Sequence, residues 1–412
     1  MASDAAPNAA TMTPTTGPDR GAAPVFLIFL KLGFTSFGGP VAHLGYFHAE
    51  FVTRRRWLSD RSYADVVALC QFLPGPASSQ VGMAIGLARA GYAGALAAWA
   101  GFTLPSAIAL GLIAAGLAAF GRAVPPGVLH GLMVVAVAVV AQAVWGMARA
   151  LCPDAPRIAI ILASATAVLL LPSAAAQVAV LGTAALVGLA LPRRERAPEH
   201  EPLPIGIPRR AAIGWFGLFL ALLVGLPLLA AMFENPALAR AAAFYRAGSL
   251  VFGGGHVVLP LLEAAVVPPG WVSNESFLAG YGAAQAVPGP LFSFAAFLGA
   301  SMRGAPSGAI GGALCLVAIY APSFLLVLGA LPFWEGLRRS VRVQAALAGV
   351  NAAVVGLLLA ALYRPVGTSA ILNPADLGLA LAALAALAVW KVPPWVVVLG
   401  SGLAGGCLGA FA

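Results

Sequence analysis

The chain has 412 residues, of which 61% are hydrophobic and only 9% are charged. A soluble globular domain carries about 25% charged residues, so this composition excludes an ordinary soluble protein. The apolar runs are about 20 residues long, which suits membrane-spanning helices and excludes the shorter, alternating strands of a transmembrane barrel. The net charge of +9 comes mainly from Lys and Arg in short loops, as in other membrane proteins, and does not indicate nucleic-acid binding.

The first residues, rich in Ala, Thr and Pro, predict a disordered tail rather than a signal peptide. Six apolar segments follow, and after a basic linker and one further apolar segment there are six more. We therefore predict an all-α polytopic membrane protein with two repeats joined by one extra helix. The predicted domains are the tail at 1–23, the first transmembrane repeat at 24–192, the linker with its helix at 193–240 and the second transmembrane repeat at 241–412.

The two halves share a sequence pattern, which indicates an internal duplication. FGG at 37–39 matches FGG at 252–254, Trp57 matches Trp271, and PGP at 74–76 matches PGP at 288–290, each about 215 residues apart. Because a single helix joins two repeats of six segments, the second repeat would enter the membrane from the opposite side. Inverted repeats of this kind, with glycine- and proline-broken segments at matching positions, are typical of transporters and indicate where the binding site lies.

The breaks themselves predict an anion-binding region. Proline and glycine interrupt a membrane helix, and the freed N–H groups at the start of the next half-helix carry partial positive charge. The alternative interpretation is that the breaks are kinks that allow close helix packing. The candidate substrate-binding residues at the breaks are Gly38, Gly39, Pro74, Gly75, Pro76 and Ser78 in the first repeat and Gly253, Gly254, Pro288, Gly289, Pro290 and Ser293 in the second.

The Lys and Arg residues predict the orientation. If the N-terminus is cytoplasmic and every segment spans, the cytoplasmic loops hold most of these residues, but the Arg-rich loop at 47–61 falls outside. Re-entrant hairpins at the broken segments would move this loop to the cytoplasm. The equivalent loop at 263–275 has no Lys or Arg and would stay outside. We favour the hairpin arrangement, with a cytoplasmic N-terminus and a periplasmic C-terminus.

Two cations occupy the same position in each repeat, shortly before the glycine-rich break. A cation near the bilayer centre costs about 2.5–3.5 kcal/mol, so Lys31 and Arg246 are candidate ligands for a doubly charged oxyanion. The alternative is that both side chains extend to the membrane interface. Gln71 and Gln285 each precede a PGP, where the amide would either donate to an oxyanion or cap freed carbonyl groups.

Proton coupling requires groups that titrate, and few are available. The candidates are His43, Glu50, His256 and Glu263, which follow the glycine-rich breaks. For each of them a role as a loop or interface residue is an equal alternative. The four cysteines are scattered without the spacing of metal ligands, and no enzyme or nucleotide-binding motif is present, so we predict no metal, no cofactor and no enzymatic activity.

The motifs GFTSFGGP, QFLPGP with the following RAGYAGAL, the Trp57-Leu58 pair, and the second-half FGGG and QAVPGP resemble the long-chain chromate ion transporter family over about residues 25–411. The resemblance implies an inner-membrane protein with two oppositely oriented halves that exports chromate by proton motive force and confers chromate resistance. It also implies that sulfate, a similar tetrahedral dianion, competes. One departure is Gly255, which stands where the first repeat has Pro40.

Two other functions fit the same residues. One is an importer of sulfate or another oxyanion, and the other is an anion channel that uses the same helix breaks. Flux of labelled anions in each direction, with and without a proton gradient, would separate these functions. The expected partners are chromate, sulfate as a competitor and membrane lipid, with a homodimer as a further expectation and no nucleic acid.

Overall fold

The computed structural model describes residues 21–37, 39–120, 125–171, 173–190, 207–252, 255–334, 337 and 340–411. Throughout these ranges the regular structure is helical and contains no strand. Five stretches are long and apolar enough to cross a membrane, namely Ala77–Phe120, Pro126–Leu151, Arg209–Phe233, Gly308–Phe333 and Val341–Ala370. The prediction of an all-α polytopic membrane protein is confirmed.

Among the described residues, the first repeat contains seven α-helices, and one further helix lies between it and the second repeat. In the first repeat, α4 is interrupted at Ala90 and Gly91, whose backbone angles are not helical. The helices are α1 (Ala22–Thr35), α2 (Gly39–His48), α3 (Asp60–Phe72), α4 (Ala77–Phe120), α5 (Pro126–Leu151), α6 (Ala155–Leu170), α7 (Ala174–Gly188) and the joining helix α8 (Arg209–Phe233).

The second repeat follows the same order. In place of the interrupted α4, the second repeat has two separate helices, α12 and α13. The helices are α9 (Pro236–Ser249), α10 (Val258–Val266), α11 (Asn274–Ala286), α12 (Phe294–Ser301), α13 (Gly308–Ala330), α14 (Val341–Ala361), α15 (Pro374–Ala388) and α16 (Pro394–Phe411). Short helical turns at Leu291–Ser293 and Leu362–Gly367 connect some of these elements.

Polar side chains fix where several helices begin. Ser59 and Ser273 occupy equivalent N-cap positions before α3 and α11, and each accepts a hydrogen bond from a backbone N–H of the first turn. Asp154 and Asn373 do the same before α6 and α15. The duplicated sequence thus repeats its helix start signals as well as its breaks.

The helices that flank each glycine-rich break form a hairpin. Phe29 lies near the middle of α1, yet its ring is 5.5 Å from Phe47 near the end of α2 and 5.0 Å from Phe51 beyond it. A chain that continued straight through the break would hold these rings far apart. Therefore α2 folds back along α1. In the second repeat, Ala242 of α9 and Ala265 of α10 line the same cavity, which indicates the same arrangement.

The PGP breaks are also hairpin turns. In the second repeat, the ring of Phe294 at the start of α12 lies 5.3 Å from Phe277 and 5.9 Å from Tyr281, both on α11. In the first repeat, the guanidinium of Arg89, just before the interruption of α4, lies 4.8 Å from the ring centre of Trp57, which precedes α3. In each repeat, the contact therefore joins the two sides of that repeat's own PGP hairpin. Each repeat therefore contains a GG hairpin (α1–α2 or α9–α10) and a PGP hairpin (α3–α4 or α11–α12).

The two repeats are interlocked through their long helices. Helix α5 of the first repeat packs against α15 and α16 of the second, and α14 of the second packs against α6 and α7 of the first. Small residues allow close approach, because a Cβ at Gly131 would meet the Ser401 carbonyl and a Cβ at Gly349 would meet that of Ala184. The joining helix α8 is the most exposed of the long apolar helices, as expected for a helix that faces lipid.

Candidate functional site

The turns of the four hairpins meet in two pairs between the repeats. The backbone N–H of Gly289, in the second PGP, donates to the carbonyl of Ser36, before the first GG break, at 2.9 Å. The N–H of Gly75, in the first PGP, donates to the carbonyl of Val251, before the second glycine run, at 2.6 Å. Such a reciprocal exchange of contacts is what a two-fold axis between equivalent elements produces.

Glycine is required at both PGP turns. The φ angles of Gly75 and Gly289 are +128° and +104°, which side chains rarely allow. A Cβ at Gly75 would lie 2.6 Å from the Ser323 hydroxyl, and one at Gly289 would lie 2.9 Å from the Ser106 hydroxyl. Ser106 and Ser323 are themselves repeat equivalents, so the two crossings share the same construction. We call the two contacts, Gly289 with Ser36 and Gly75 with Val251, the tip contacts.

A polar cavity of about 80 Å³ lies beside the Gly289 tip contact. Because a single water needs about 10–15 Å³ by this measure, the cavity has room for a small ion. Its lining comes from both repeats and combines several predicted site residues with residues from the apolar helices. The lining residues are Gly39, Pro40, Val139 and Gln142 from the first repeat and His256, Ala284, Gln285, Val287, Gly289, Leu291, Leu387 and Pro394 from the second.

Three side chains give this tip cavity its polarity. The amide nitrogen of Gln285 is buried and has no hydrogen-bond partner among the described residues. Nδ1 of His256 is 2.8 Å from the hydroxyl of the fully buried Tyr281. The amide nitrogen of Gln142 donates to the Leu387 carbonyl at 3.3 Å. A buried donor without a partner is costly, so Gln285 is placed to donate to a ligand with oxygen acceptors.

The first repeat supplies a related group beside its own PGP. Nδ1 of His43 is 3.3 Å from the hydroxyl of Ser78, in the first turn of α4, and His43 is buried. The equivalent position in the second repeat is Phe292, and the neighbouring Ser293 donates its hydroxyl to the carbonyl of Pro290 at 2.7 Å. The two halves are therefore similar in backbone and different in side-chain chemistry.

Other predicted residues lie elsewhere. Lys31 is exposed on α1, whereas Arg246 is half-buried and lines a separate cavity of about 270 Å³ with Pro227 of α8. Gln71 is exposed, unlike Gln285, and Glu263 is half-buried on α10. Lys31, Arg246, Gln71 and Glu263 are not among the described residues that line the tip cavity. Their functional roles remain predictions from charge and repeat position. Gly38, Gly253 and Gly254 lie outside the described residues.

Glu50 belongs to a charged cluster at the end of the first GG hairpin. Its carboxylate accepts hydrogen bonds from Arg55 at 2.6 Å and Arg54 at 3.1 Å. Burial raises the pKa of Glu50, but the hydrogen bonds and charges of Arg55 and Arg54 outweigh burial, and the pKa lies below its usual value. The carboxylate is therefore ionised near neutral pH, which supports a structural role.

Sequence reasoning did not assign a role to Gln142, Tyr281 or Ser106. The signal for Gln142 was available, because it is the one amide side chain in the apolar central part of helix α5. Ser106 belongs to a Pro-Ser pair that recurs at 322–323, and the recurrence identified the repeat without indicating contact with the opposite PGP. Tyr281 could not be distinguished from a core aromatic residue.

Taken together, the repeats, the broken helices and the shared polar cavity define an integral membrane protein with the architecture of a transporter. The sequence model of one family, described as chromate transporter, matches residues 23–189 and again residues 238–406. The chain therefore belongs to the chromate transporter family, and the resemblance found from its motifs is confirmed. The double match also confirms the duplication, and membership confirms that the protein is a transporter rather than an enzyme.

Several curated relatives cover most of the chain. A chromate transport protein of Pseudomonas aeruginosa is 28% identical over 404 residues, covering 95% of this chain and 94% of that protein. A chromate transport protein of Cupriavidus metallidurans is 26% identical over 397 residues. A probable chromate transport protein of Synechococcus elongatus is 27% identical over 339 residues, covering 81% of each. No solved structure matches the chain.

Proposed function

We propose that this protein exports chromate from the cytoplasm across the inner membrane by proton antiport and thereby confers chromate resistance. The observation that supports the proposal is the Gly289 tip contact, where residues at the first GG break and the second PGP line one polar cavity between the repeats. Three relatives that carry the word chromate in their names support the choice of anion.

In this proposal the anion binds in the tip cavity. Gln285 donates its unpartnered amide to one oxyanion oxygen, and Leu291, the first residue of the turn after the second PGP, also lines the cavity. The cavity is lined by neutral groups when His256 is uncharged. Binding would then depend on several hydrogen bonds to the oxygens, with Lys31 and Arg246 attracting the dianion from outside the cavity.

We also propose that the repeats are inverted and that their hairpins are re-entrant. Helices α1, α2 and α3 have 14, 10 and 13 residues, which at 1.5 Å per residue is about 21, 15 and 20 Å. A bilayer core is about 30 Å thick, so these arms reach its middle without crossing it. Hairpins that enter from opposite faces would meet turn to turn, which agrees with the tip contacts.

For proton coupling we propose His256 with its partner Tyr281, and His43 with Ser78. Both histidines lie directly after a GG break and hydrogen-bond a hydroxyl group. Protonation of either histidine near the tip contacts would place a positive charge beside the anion and so link proton movement to anion release or capture. Glu263, half-buried on α10, is the remaining candidate.

Flux in proteoliposomes tests the proposal. Labelled chromate should move against its gradient when a proton gradient is imposed, and unlabelled sulfate should compete. Gln285→Ala should lower the rate by roughly 10- to 150-fold, since a lost hydrogen bond to a charged ligand costs about 1.5–3 kcal/mol. Gln71→Ala, at the equivalent but exposed position, is the matched comparison and should lower the rate far less, because an exposed amide can bond to water.

Three results would contradict the proposal or part of it. Flux that does not saturate and does not respond to the proton gradient would indicate an anion channel. Sulfate accumulation, with chromate acting only as a weak competitor, would indicate a sulfate importer. An equal loss of transport in Gln71→Ala and Gln285→Ala would argue against the tip cavity as the anion-binding site.

A further inference from the structure

A second cavity, of about 270 Å³, lies between the joining helix α8 and the second GG hairpin. Among the described residues that line it, Arg246 is the one with a charged side chain, and we call this space the Arg246 cavity. A single water needs about 10–15 Å³ by this measure, so an oxyanion fits together with several waters. The other lining residues are mostly small, namely Pro227, Ala230, Ala239, Ala242, Ala243, Ala264, Ala265, Pro269 and Trp271.

Arg246 brings an uncompensated positive charge to this cavity. Its side chain is half-buried, and among the described residues it forms no hydrogen bond and no ion pair. Glu263, on α10, is not among the described residues that line the cavity. A cation that is partly withdrawn from water without an acidic partner is unfavourable, so an anion in the cavity would stabilise it.

A second arginine makes the same region more positive. The guanidinium of the buried Arg240 lies 5.9 Å from the ring centre of Trp271, which lines the cavity. It donates to the backbone carbonyls of Arg303 at 2.7 Å and Gly304 at 3.2 Å, and none of its described partners is a carboxylate. Because neutral carbonyls do not cancel a full charge, the Trp271 side of the cavity also attracts anions.

The cavity lies between the base of the hairpin and its break. Arg246 is ten residues after Pro236, the first residue of α9, which is about 15 Å along the helix and roughly half of a bilayer core. Pro269 and Trp271 follow α10 at the base of the hairpin, and the tip contact at Val251 is five residues beyond Arg246. In the proposed orientation the base faces outwards, so an anion that has passed the tip contacts would meet Arg246 before the outer solution.

We propose that the Arg246 cavity binds one tetrahedral oxyanion, as a second site on the exit path of the transported anion. This inference rests on the proposed function and adds to it a charged site beside the neutral amide of the tip cavity. The planar guanidinium presents a fork of N–H donors that suits two oxygens of one oxyanion. The equivalent Lys31 of the first repeat is exposed, so the two repeats offer the anion different sites.

The number of chromate ions bound by the purified full-length protein in uncharged detergent tests this assignment. We expect two labelled ions per chain, one in each cavity. Arg246→Gln should weaken binding in its cavity by roughly 10- to 150-fold, the loss expected for hydrogen bonds to a charged ligand, and should leave one ion per chain. Arg342→Gln, which changes an exposed arginine on α14, is the matched control and should still bind two.

Two further variants separate the charge from the space around it. Arg246→Lys keeps the charge and should retain the second ion. Ala264→Leu keeps the arginine but fills the cavity, and should lose the second ion. The ion that remains in Arg246→Gln shows that this variant is folded, and adding Gln285→Ala to it should remove that ion as well.

A lipid phosphate offers the same oxyanion chemistry, and α8 is an exposed helix, so the measurement is repeated with phosphatidylglycerol added. We expect two chromate ions to remain bound. Displacement of the Arg246-dependent ion by this lipid would assign the cavity to a lipid headgroup and overturn its place on the exit path.

The inference is also overturned if Arg246→Gln still binds two ions, or if the wild type binds a single ion that depends on Gln285. In either case the proposed function would stand, because the site in the tip cavity is intact. Failure of the wild type to bind or move chromate at all would remove both.

Discussion

At the scale of single residues, the two PGP glycines each meet several structural requirements at once. Each combines a positive φ with a neighbouring serine hydroxyl from the opposite repeat and an N–H that bonds across the repeat interface. A side chain would therefore disturb the backbone and the contact together.

The variant Gly289→Ala tests this requirement. The φ of +104° and the approach of 2.9 Å to the Ser106 hydroxyl should together cost about 1–3 kcal/mol in the transport-competent state. We expect chromate transport to fall by about tenfold or more, as about 1.4 kcal/mol corresponds to a factor of ten. Proteoliposome flux, normalised to inserted protein, is the measurement.

Gly45→Ala provides the control for this variant. Gly45 lies on α2, its φ is not positive, and a Cβ there would meet nothing within 4 Å. Its alanine variant should transport as the wild type does. Normal transport by Gly289→Ala would show that the turn tolerates a side chain and that the tip contact is not needed.

At the scale of helices, the repeats depend on each other for packing. Helices α5 and α14 each pack against the last two helices of the opposite repeat, and the crossings use glycines whose Cβ atoms would collide with a facing carbonyl. Hydrophobic burial does not distinguish a helix neighbour from lipid, so close van der Waals contact between small residues must supply the specificity.

Gly131→Val tests the crossing of α5 and α16. The added side chain would meet the Ser401 carbonyl, and overpacking of this kind costs about 1–3 kcal/mol. We expect a lower unfolding temperature for the purified protein. Gly146→Val, on the same helix with open space around its Cβ, should leave the unfolding temperature unchanged, and a similar loss in both variants would argue against a specific crossing.

At the scale of the whole molecule, the sequence predicts the architecture better than it predicts the contacts between the repeats. The duplication, the broken helices and the extra helix follow from residue type and spacing alone, since proline and glycine act on their own backbone. The tip contacts could not be predicted, because Gly289 and Ser36 are brought together by the packing of two repeats rather than by local preference.

The same distinction between local backbone preference and packing explains which predicted side chains reach the tip cavity. Gln71 and Gln285 follow one motif, yet only Gln285 lines the tip cavity, because the helices packed around the two PGP turns differ in their residues. Arg246 lines a cavity together with residues of the joining helix α8, whereas Lys31 is exposed. Repeat position predicts backbone shape and does not fix the environment of a side chain.

The central claim is that the two repeats enter the membrane from opposite faces and meet at their hairpin turns. Arg61 and Glu275 are repeat equivalents, and both are exposed at the start of a PGP hairpin. Single Arg61→Cys and Glu275→Cys variants, made with the exposed Cys407 replaced by serine, can be labelled with a membrane-impermeant maleimide in right-side-out and inverted vesicles. The account predicts that residue 61 is labelled only from the cytoplasmic face and residue 275 only from the outer face. Labelling of both positions from the same face would contradict it.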